Sequence, residues 1–182
     1  MSQVLILIGM PGSGKTTVGQ GLARELDYIF IDTDEFIEQE LAKKSIEKIF
    51  EEEGEEAFRR FEKAVLQHIL VLATKGQNLV VATGGGLPIY QDNLAKLSAT
   101  GTTFFLDCQS EILAKRLLDQ FERQKQDRPL LDLASAKNDP DNLNEKLLEL
   151  VKKRGETYEK AHHRIDTTNL SLSEVVERLK AF

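Results

Sequence analysis

The feature that most restricts how this chain can fold is a glycine-rich loop that follows its first apolar run. The run Val4–Ile8 leads into Gly-Met-Pro-Gly-Ser-Gly-Lys-Thr at Gly9–Thr16, and a helical pattern comes next. A strand, a loop ending in Gly-Lys-Thr and a helix, in that order, form a phosphate-binding loop. Its glycines leave room for backbone amides, at the positive end of the helix, to enclose phosphate oxygens. We therefore expect a nucleotide-binding protein in which Lys15 reaches the β- and γ-phosphates and the Thr16 hydroxyl ligates Mg²⁺.

Short apolar runs alternate with amphipathic segments along the chain, which predicts an α/β domain. Runs without polar alternation are typical of strands covered on both faces, as in a parallel sheet. The predicted strands are Val4–Ile8, Tyr28–Ile31, Leu79–Ala82, Thr103–Leu106 and Arg164–Asp166. The predicted helical faces carry Val18, Leu22 and Leu26; Phe58, Phe61, Val65, Ile69 and Leu72; Leu113, Leu117 and Phe121; Leu143, Leu147, Val151 and Tyr158; and, after a Ser171–Glu174 capping box, Val175 and Leu179. Ligands in such layered folds bind at the carboxyl ends of the strands.

Composition limits the class of protein further. The 182 residues fit one domain, and 41% hydrophobic with 30% charged residues is ordinary for a globular chain. A net charge of −6 argues against a broad nucleic-acid-binding face. No apolar run approaches the roughly 20 residues of a membrane helix, and the first residues do not resemble a signal peptide. The single cysteine, Cys108, favours a cytoplasmic protein, and no exposed apolar stripe demands a dimer, so we expect a monomer.

Two carboxylates, Asp32 and Asp34, follow the second apolar run and are expected beside the phosphate-binding loop. In an extended segment, side chains two residues apart point the same way. One carboxylate near Mg²⁺ and one near an acceptor hydroxyl would suit phosphoryl transfer. The alternative is that these strand-end carboxylates only cap the next helix.

Cationic and glycine-rich segments indicate a pocket for a small anion. Arg59 can form a solvated salt bridge with Glu62, but an arginine beside an aromatic residue can also bind a carboxylate through two parallel hydrogen bonds. Three glycines, Gly84–Gly86, follow the third strand, where they let a ligand approach the backbone. Arg128 lies in a polar stretch from which it can neutralise transition-state charge, and Arg154 lies on the side of the next helix that carries Val151 and Tyr158.

Taken together, these ordered motifs resemble the shikimate kinase family over nearly the whole chain. Beside the phosphate-binding loop, they are Asp-Thr-Asp-x-x-Ile-Glu at Asp32–Glu38, Gly-Glu-x-x-Phe-Arg-Arg-x-Glu at Gly54–Glu62, Gly84–Gly86, Arg-Pro-Leu-Leu at Arg128–Leu131 and Lys-Arg-x-x-x-Tyr at Lys153–Tyr158. The resemblance implies a three-layer P-loop kinase fold with a five-stranded parallel sheet of order 2-3-1-4-5. It also implies transfer of the ATP γ-phosphate to the 3-hydroxyl of shikimate, in the pathway to chorismate and aromatic amino acids.

The resemblance also implies roles for individual residues. Those that hold the phosphates are Gly12, Ser13, Gly14, Lys15, Thr16 and Thr17, and Thr16 with Asp32 holds Mg²⁺, the latter through water. Asp34 contacts the acceptor hydroxyls and accepts a proton. The residues implied for the shikimate carboxylate and its surroundings are Arg59, Arg154, Gly84, Gly85 and Gly86.

A lid is implied for the second half of the chain. Arg128 lies on it and, with Lys15, supplies positive charge around the transferring group. Arg116 lies against adenine by the same analogy, although the stretch from Arg116 to Arg128 is several residues longer than in compact members. Residues 1–182 are expected to form one domain, with the substrate-binding region at about 33–62 and the lid at about 119–137.

Other functions remain open on the residues alone. A gluconate kinase would share the phosphate-binding loop and the lid, but does not need Asp34, Arg59 and the three glycines together. A catalytically silent nucleotide-binding protein would not need Lys15, Asp32, Asp34 and Arg128 intact. A GTPase switch is disfavoured because the chain has no Asn-Lys-x-Asp guanine motif.

Overall fold

All five predicted strands are present in the computed structural model, which describes residues 3–124 and 140–182. They are β1 (Val4–Ile8), β2 (Ile29–Asp32), β3 (Leu79–Ala82), β4 (Thr102–Asp107) and β5 (His163–Asp166). Every pair is parallel, and the order β2-β3-β1-β4-β5 is the order that the resemblance implied. Strand β1 lies at the centre, where Ile6 is in register with Val81 on one side and Thr103 on the other. The glycine-rich loop therefore leaves the middle of the sheet.

Seven α-helices are described around this sheet. They are α1 (Lys15–Leu26), α2 (Thr33–Phe36), α3 (Ile46–Thr74), α4 (Asn93–Thr100), α5 (Ser110–Gln124), α6 (Pro140–Tyr158) and α7 (Leu172–Lys180). A π-helical segment, Ile37–Ala42, follows α2, and a 3-10 turn, Leu87–Ile89, precedes α4. The predicted capping box of α7 is confirmed: Ser171 accepts from the Glu174 amide, and Glu174 accepts from the Ser171 amide.

Side chains of β1 alternate between two hydrophobic cores, which makes the domain a three-layer sandwich. Leu5 and Leu7 pack with residues of α1 and α7 on one face. Residues of α3, α5 and α6 form the other core with Val4, Ile6 and Ile8. Burial on both faces explains the unbroken apolar runs, since each buried apolar Å² contributes about 25 cal/mol.

Helix α3 is interrupted at Gly54, whose φ of 79° and ψ of 177° are not helical. Its first part was not predicted from the sequence; it begins after Ser45, whose hydroxyl accepts a hydrogen bond from the Lys48 amide. Its second part carries the predicted apolar face. Because glycine adopts a positive φ at little cost, Gly54 changes the direction of the chain just before Arg59.

One predicted helical position is wrong. Val151 of α6 is exposed, whereas Leu143, Leu147 and Tyr158 are buried. Arg154 is also buried, which brings a charged side chain to the inner face of the helix. The polar side of α6 therefore includes an apolar residue, and its apolar side includes a cation.

Cys108 directly follows β4 and is buried, and burial raises the pKa of this thiol. Within residues 3–124 and 140–182, no helix combines the length and the apolarity that crossing a lipid bilayer requires.

Candidate active site

The loops after β1, β2 and β3 open into one cleft of about 760 Å³. The sequence-predicted residues that line it are Gly12, Ser13, Gly14, Lys15, Thr16, Thr17, Asp32, Asp34, Arg59, Gly84, Gly85, Gly86, Arg116 and Arg154. The structure therefore brings together every candidate site residue within the described ranges. This placement follows from the sheet, because the carboxyl ends of parallel strands meet at one edge.

The glycine-rich loop has the backbone that its glycines allow. Gly12 and Gly14 have φ angles of 80° and 93°, in a region that side chains disfavour. A side chain at Gly12 would also come within 3.0 Å of Leu117 of α5. The ammonium of Lys15 donates to the carbonyl oxygens of Gly9, at 3.0 Å, and Met10, at 2.8 Å. Lys15 is thereby held across the mouth of the loop, at the first turn of α1.

Asp32 connects the first turn of α1 to the end of β2. Its Oδ2 accepts a hydrogen bond of 2.6 Å from the Thr16 hydroxyl. Its Oδ1 accepts from the backbone amides of Asp34, at 3.0 Å, and Glu35, at 3.3 Å. Asp32 is therefore the N-cap of α2 as well as a partner of Thr16, so that the capping alternative and the position beside the loop both hold.

Asp34 reaches the cleft in a different way from the one expected. It does not continue an extended segment, because β2 ends at Asp32 and Asp34 lies in the first turn of α2. The Gly84 amide donates to the Thr33 hydroxyl at 2.8 Å, which joins α2 to the turn after β3. The carboxylate of Asp34 then covers Gly84 so closely that a side chain at Gly84 would collide with it.

Gly85 makes room for Arg154. A side chain at Gly85 would lie 2.8 Å from Arg154 Nη1. The Gly85 carbonyl accepts a hydrogen bond of 2.6 Å from the hydroxyl of Tyr158, one turn after Arg154. Burial raises the pKa of the Tyr158 phenol, and Arg154 opposes this shift. The turn after β3 and α6 therefore fix each other's positions, with the guanidinium between them and the cleft.

Gly86 makes room for Arg59. A side chain there would lie 3.2 Å from Arg59 Nη1. The Arg59 guanidinium lies over the ring of Tyr90, 4.8 Å from its centroid, and donates to Glu62 at 2.7 Å. The three consecutive glycines thus accommodate Asp34, Arg154 and Arg59 in turn.

The Arg59–Glu62 pair is buried on its acidic side. Only 2% of the Glu62 side chain is exposed. Burial raises the pKa of Glu62, and the hydrogen bond and charge of Arg59 and the charge of Arg154 lower it by less. Burial lowers the pKa of Arg59, but the hydrogen bonds to Glu62 and Glu55 and the charges of these two carboxylates together raise the pKa above its usual value. The pair is therefore not the solvated salt bridge that its sequence spacing alone favoured.

Of the two arginines that the resemblance implies for this half of the chain, the structure describes Arg116 and leaves out Arg128. Arg116 lines the cleft, and its Nη2 donates to the Thr167 carbonyl at 3.4 Å. Arg128 lies outside the described residues, as does most of the expected lid at about 119–137.

Several contacts of the site were not assigned from the sequence. Thr33 and Tyr158 lie within the quoted motifs, but their partners, Gly84 and Gly85, are 51 and 73 residues away along the chain. Glu55 also contacts Arg59, at 2.6 Å. The only sequence signal for this last contact is the i, i+4 spacing of opposite charges on a helix.

Comparison with known proteins agrees with this geometry. Residues 11–182 match the family model described as shikimate kinase. A shikimate kinase of Clostridium botulinum (strain Loch Maree / Type A3) is 42% identical over 178 residues, which are 98% of this chain and 95% of the relative. A shikimate kinase of Azobacteroides pseudotrichonymphae is 37% identical over 96% of both chains.

Solved structures show the same relationship. The shikimate kinase of Bacteroides thetaiotaomicron superposes with a TM-score of 0.82 and 32% identity, over 98% of this chain and 97% of the other. The shikimate kinase of Acinetobacter baumannii, solved in complex with shikimate, superposes with a TM-score of 0.82 and 32% identity. The match covers 99% of this chain and 92% of the other. A gluconokinase of Sinorhizobium meliloti shares the fold alone. It superposes with a TM-score of 0.61 and 20% identity, over 98% of this chain and 90% of the other. By its matched sequence, its sheet order and the motifs that meet in its cleft, this chain belongs to the shikimate kinase family.

Proposed function

We propose that this protein transfers the γ-phosphate of ATP to the 3-hydroxyl of shikimate. The observation that carries the proposal is that the phosphate-binding loop, Asp34, Arg59 and Arg154 line the same cleft. A kinase for a small anionic alcohol needs a phosphate site, a carboxylate site and a proton acceptor within the length of one substrate. The chain supplies one group for each requirement at the same edge of the sheet.

The nucleotide phosphates would bind the loop from Gly12 to Thr17. Its backbone amides lie at the positive end of α1, and Lys15 is already held at the loop by the Gly9 and Met10 carbonyls. A short rotation of the lysine side chain would bring the ammonium from these neutral carbonyls to phosphate oxygens, which form stronger charge-assisted bonds. Lys15 would then neutralise charge on the transferring group.

The adenine would lie at the other end of the nucleotide site, near Arg116. The Arg116 guanidinium is restrained by the Thr167 carbonyl, and the apolar side chains of Leu170 and Leu172 line the same cleft. A planar cation and aliphatic side chains together suit a purine ring, because one offers stacking and the others exclude water.

Mg²⁺ fits the oxygen groups between the loop and β2. Thr16 and Asp32 are already 2.6 Å apart and offer a hydroxyl and a carboxylate, which are ligands that this hard cation prefers. We propose that Thr16 binds the ion directly and Asp32 holds it through water. When bound, the ion would supply positive charge that neutralises the nucleotide phosphates.

The shikimate carboxylate would bind between Arg59 and Arg154. Both guanidiniums border the triple-glycine turn, beside Gly86 and Gly85 respectively, so that two cations converge on one side of the cleft. Asp34 borders the same turn at Gly84 and is placed to bind ring hydroxyls and to accept the proton of the attacking one. Arginine suits this role better than lysine, because its planar fork matches a carboxylate.

Arg128 completes the proposal through the family resemblance. Arg-Pro-Leu-Leu at Arg128–Leu131 matches the lid motif, and we propose that Arg128 closes over both substrates at the γ-phosphate. A cation that closes onto the transferring group neutralises charge, and closure excludes the water that would otherwise hydrolyse ATP.

We further propose one domain over residues 1–182, with the acceptor region at about 33–62 and the lid at about 119–137. A monomer in the reducing cytoplasm is part of the same proposal, for which the buried free thiol of Cys108 is the support.

A substrate panel tests the function directly. The purified chain is incubated with ATP and Mg²⁺, and ADP release is measured with shikimate, gluconate or nucleoside monophosphates as acceptor. We expect ADP release to depend on shikimate. ADP release with gluconate in place of shikimate would instead make the chain a sugar-acid kinase, and no release with any acceptor would make it a silent nucleotide-binding protein.

A further inference from the structure

The guanidinium of Arg59 is bound by two carboxylates of its own helix. Nη1 donates to Glu62 Oε2 at 2.7 Å. Nε and Nη2 both donate to one oxygen of Glu55, Oε1, at 3.2 Å and 2.6 Å. Every nitrogen of this guanidinium therefore donates to a carboxylate of α3.

The two carboxylates differ sharply in burial. Glu62 has 2% of its side chain exposed and holds Nη1 from the buried side of the pair. Glu55 has 63% of its side chain exposed, and nothing but the ion pair restrains it among the contacts that the structure describes. An exposed ion pair of this kind is weak and exchanges readily with water or with another anion.

Glu55 covers the edge of Arg59 that presents two adjacent N–H groups. Such an edge is where a guanidinium binds a carboxylate through paired hydrogen bonds. One face of the guanidinium lies over the ring of Tyr90, 4.8 Å from its centroid, and Nη1 belongs to Glu62. An incoming carboxylate that pairs with Nε and Nη2 must therefore displace Glu55 from this edge.

The local backbone brings Glu55 to this position. Gly54, at φ 79° and ψ 177°, ends the first part of α3, so Glu55 opens the second part and lies one turn before Arg59. At that place its charge is also favoured by the helix dipole, with or without Arg59. The chain therefore keeps an acidic side chain beside its own carboxylate-binding arginine.

We infer that Glu55 is an internal competitor of the substrate carboxylate for Arg59 and thereby sets the affinity for the acceptor. The inference rests on the proposed function, since it takes the acceptor carboxylate to bind Arg59. When the acceptor binds, Glu55 swings into solvent and the acceptor carboxylate replaces it on Nε and Nη2. The apparent affinity is then reduced to the fraction of molecules in which the edge is free, and the strength of exposed pairs makes this a roughly two- to fivefold effect.

Glu55→Gln tests the competition, because glutamine keeps the shape of the side chain without its charge. Its matched control is Glu56→Gln, which removes the same charge from the next, exposed residue. Steady-state kinetics give the KM values for shikimate and ATP, and calorimetric titration gives the Kd for shikimate. We expect the KM and Kd for shikimate to fall roughly two- to fivefold in Glu55→Gln but not in Glu56→Gln, with the KM for ATP at its parental value. Glu55→Ala should shift the KM for shikimate in the same direction.

A different pattern would overturn the inference. If Glu55 instead held Arg59 in place, both Glu55 variants would raise the KM for shikimate. If the KM for shikimate fell equally in Glu55→Gln and Glu56→Gln, general charge repulsion would explain the effect. An unchanged KM for shikimate in Glu55→Gln would exclude competition. An inactive parent chain would contradict the proposed function itself, whereas an active parent with any of these patterns would contradict only the role of Glu55.

Discussion

The phenol of Tyr158 donates a hydrogen bond of 2.6 Å to the backbone carbonyl of Gly85. Tyr158 is fully buried, and its ring also lies against Phe105 of β4, with centroids 5.2 Å apart. The bond therefore ties α6 to the triple-glycine turn from inside the core. It fixes the distance between that turn and Arg154, which lies one helical turn before the tyrosine.

Removing the phenol hydroxyl should destabilise the protein. In Tyr158→Phe the ring still fills its space, but the half-buried Gly85 carbonyl loses its partner. The loss of such a hydrogen bond costs about 0.5–1.5 kcal/mol. Urea denaturation should show this loss in the free energy of unfolding, while Tyr90→Phe, at a ring that is 37% exposed, should change it by less than about 0.5 kcal/mol. Equal stabilities of the two variants would contradict a structural role for the bond.

Adding one methyl group at Gly85 should impair acceptor binding. In Gly85→Ala the new Cβ would lie 2.8 Å from Arg154 Nη1, so the guanidinium must shift. Such a shift would weaken a charge-assisted hydrogen bond to the acceptor carboxylate, worth about 1.5–3 kcal/mol, and we expect the KM for shikimate to rise about tenfold or more. Gly155→Ala is the matched control on the neighbouring helix, because no atom lies within 4 Å of its added Cβ and alanine favours the helix. A Gly85→Ala protein with the parental KM would show that the Arg154 position does not matter for the acceptor.

Asp32→Asn separates the two contacts of this side chain. Asparagine still caps α2 through its carbonyl oxygen, but one of its two polar atoms becomes a donor and the charge is lost. If Asp32 and Thr16 hold Mg²⁺, the half-saturating Mg²⁺ concentration for ADP release should rise about 10- to 100-fold. Asp92→Asn removes an equal charge from the exposed start of α4 and should leave this concentration unchanged. Overlapping Mg²⁺ titrations of Asp32→Asn and the parent would exclude the proposed site.

Protonation of Glu62 should make stability depend on pH. Burial raises the pKa of this carboxyl above its usual value of 4.5 in the folded chain. A raised pKa means that the folded state binds the proton more tightly, so this contribution to stability is complete below about pH 4.5 and is lost as the pH rises through the folded pKa. The free energy of unfolding of the parent, minus that of Glu62→Gln, should therefore fall as the pH rises above about 4.5.

Urea denaturation at a series of pH values measures this difference. Glu56→Gln, at an exposed carboxylate of the same helix, is measured beside it as the matched control. If the parent instead gained stability relative to Glu62→Gln as the pH rose, the ion pair with Arg59 would outweigh burial in setting the pKa of Glu62.

The sheet and the phosphate-binding loop are predictable from the sequence because local patterns determine them. Buried parallel strands such as Val4–Ile8 and Leu79–Ala82 are continuous apolar runs, and their predicted bounds are those of the structure. The Ser171–Glu174 capping box is likewise a local signal for the start of a helix. The strand order came instead from the family resemblance.

The contacts that shape the cleft are not local, and sequence patterns do not specify them. The first part of α3 was missed because Gly54 breaks the helical pattern within it. Glu62 was interpreted as solvated because an i, i+3 pair looks the same on a buried and an exposed face. That Gly84, Gly85 and Gly86 each accommodate a different charged side chain depends on how α2, α3 and α6 pack around one turn.

The product of the reaction tests the central claim most directly. The chain is incubated with ATP, Mg²⁺ and shikimate, and the product is analysed by ³¹P and ¹H NMR. The account predicts one phosphate ester on the 3-hydroxyl of shikimate for each ADP formed. A phosphate on another hydroxyl, or free phosphate beside unmodified shikimate, would contradict it.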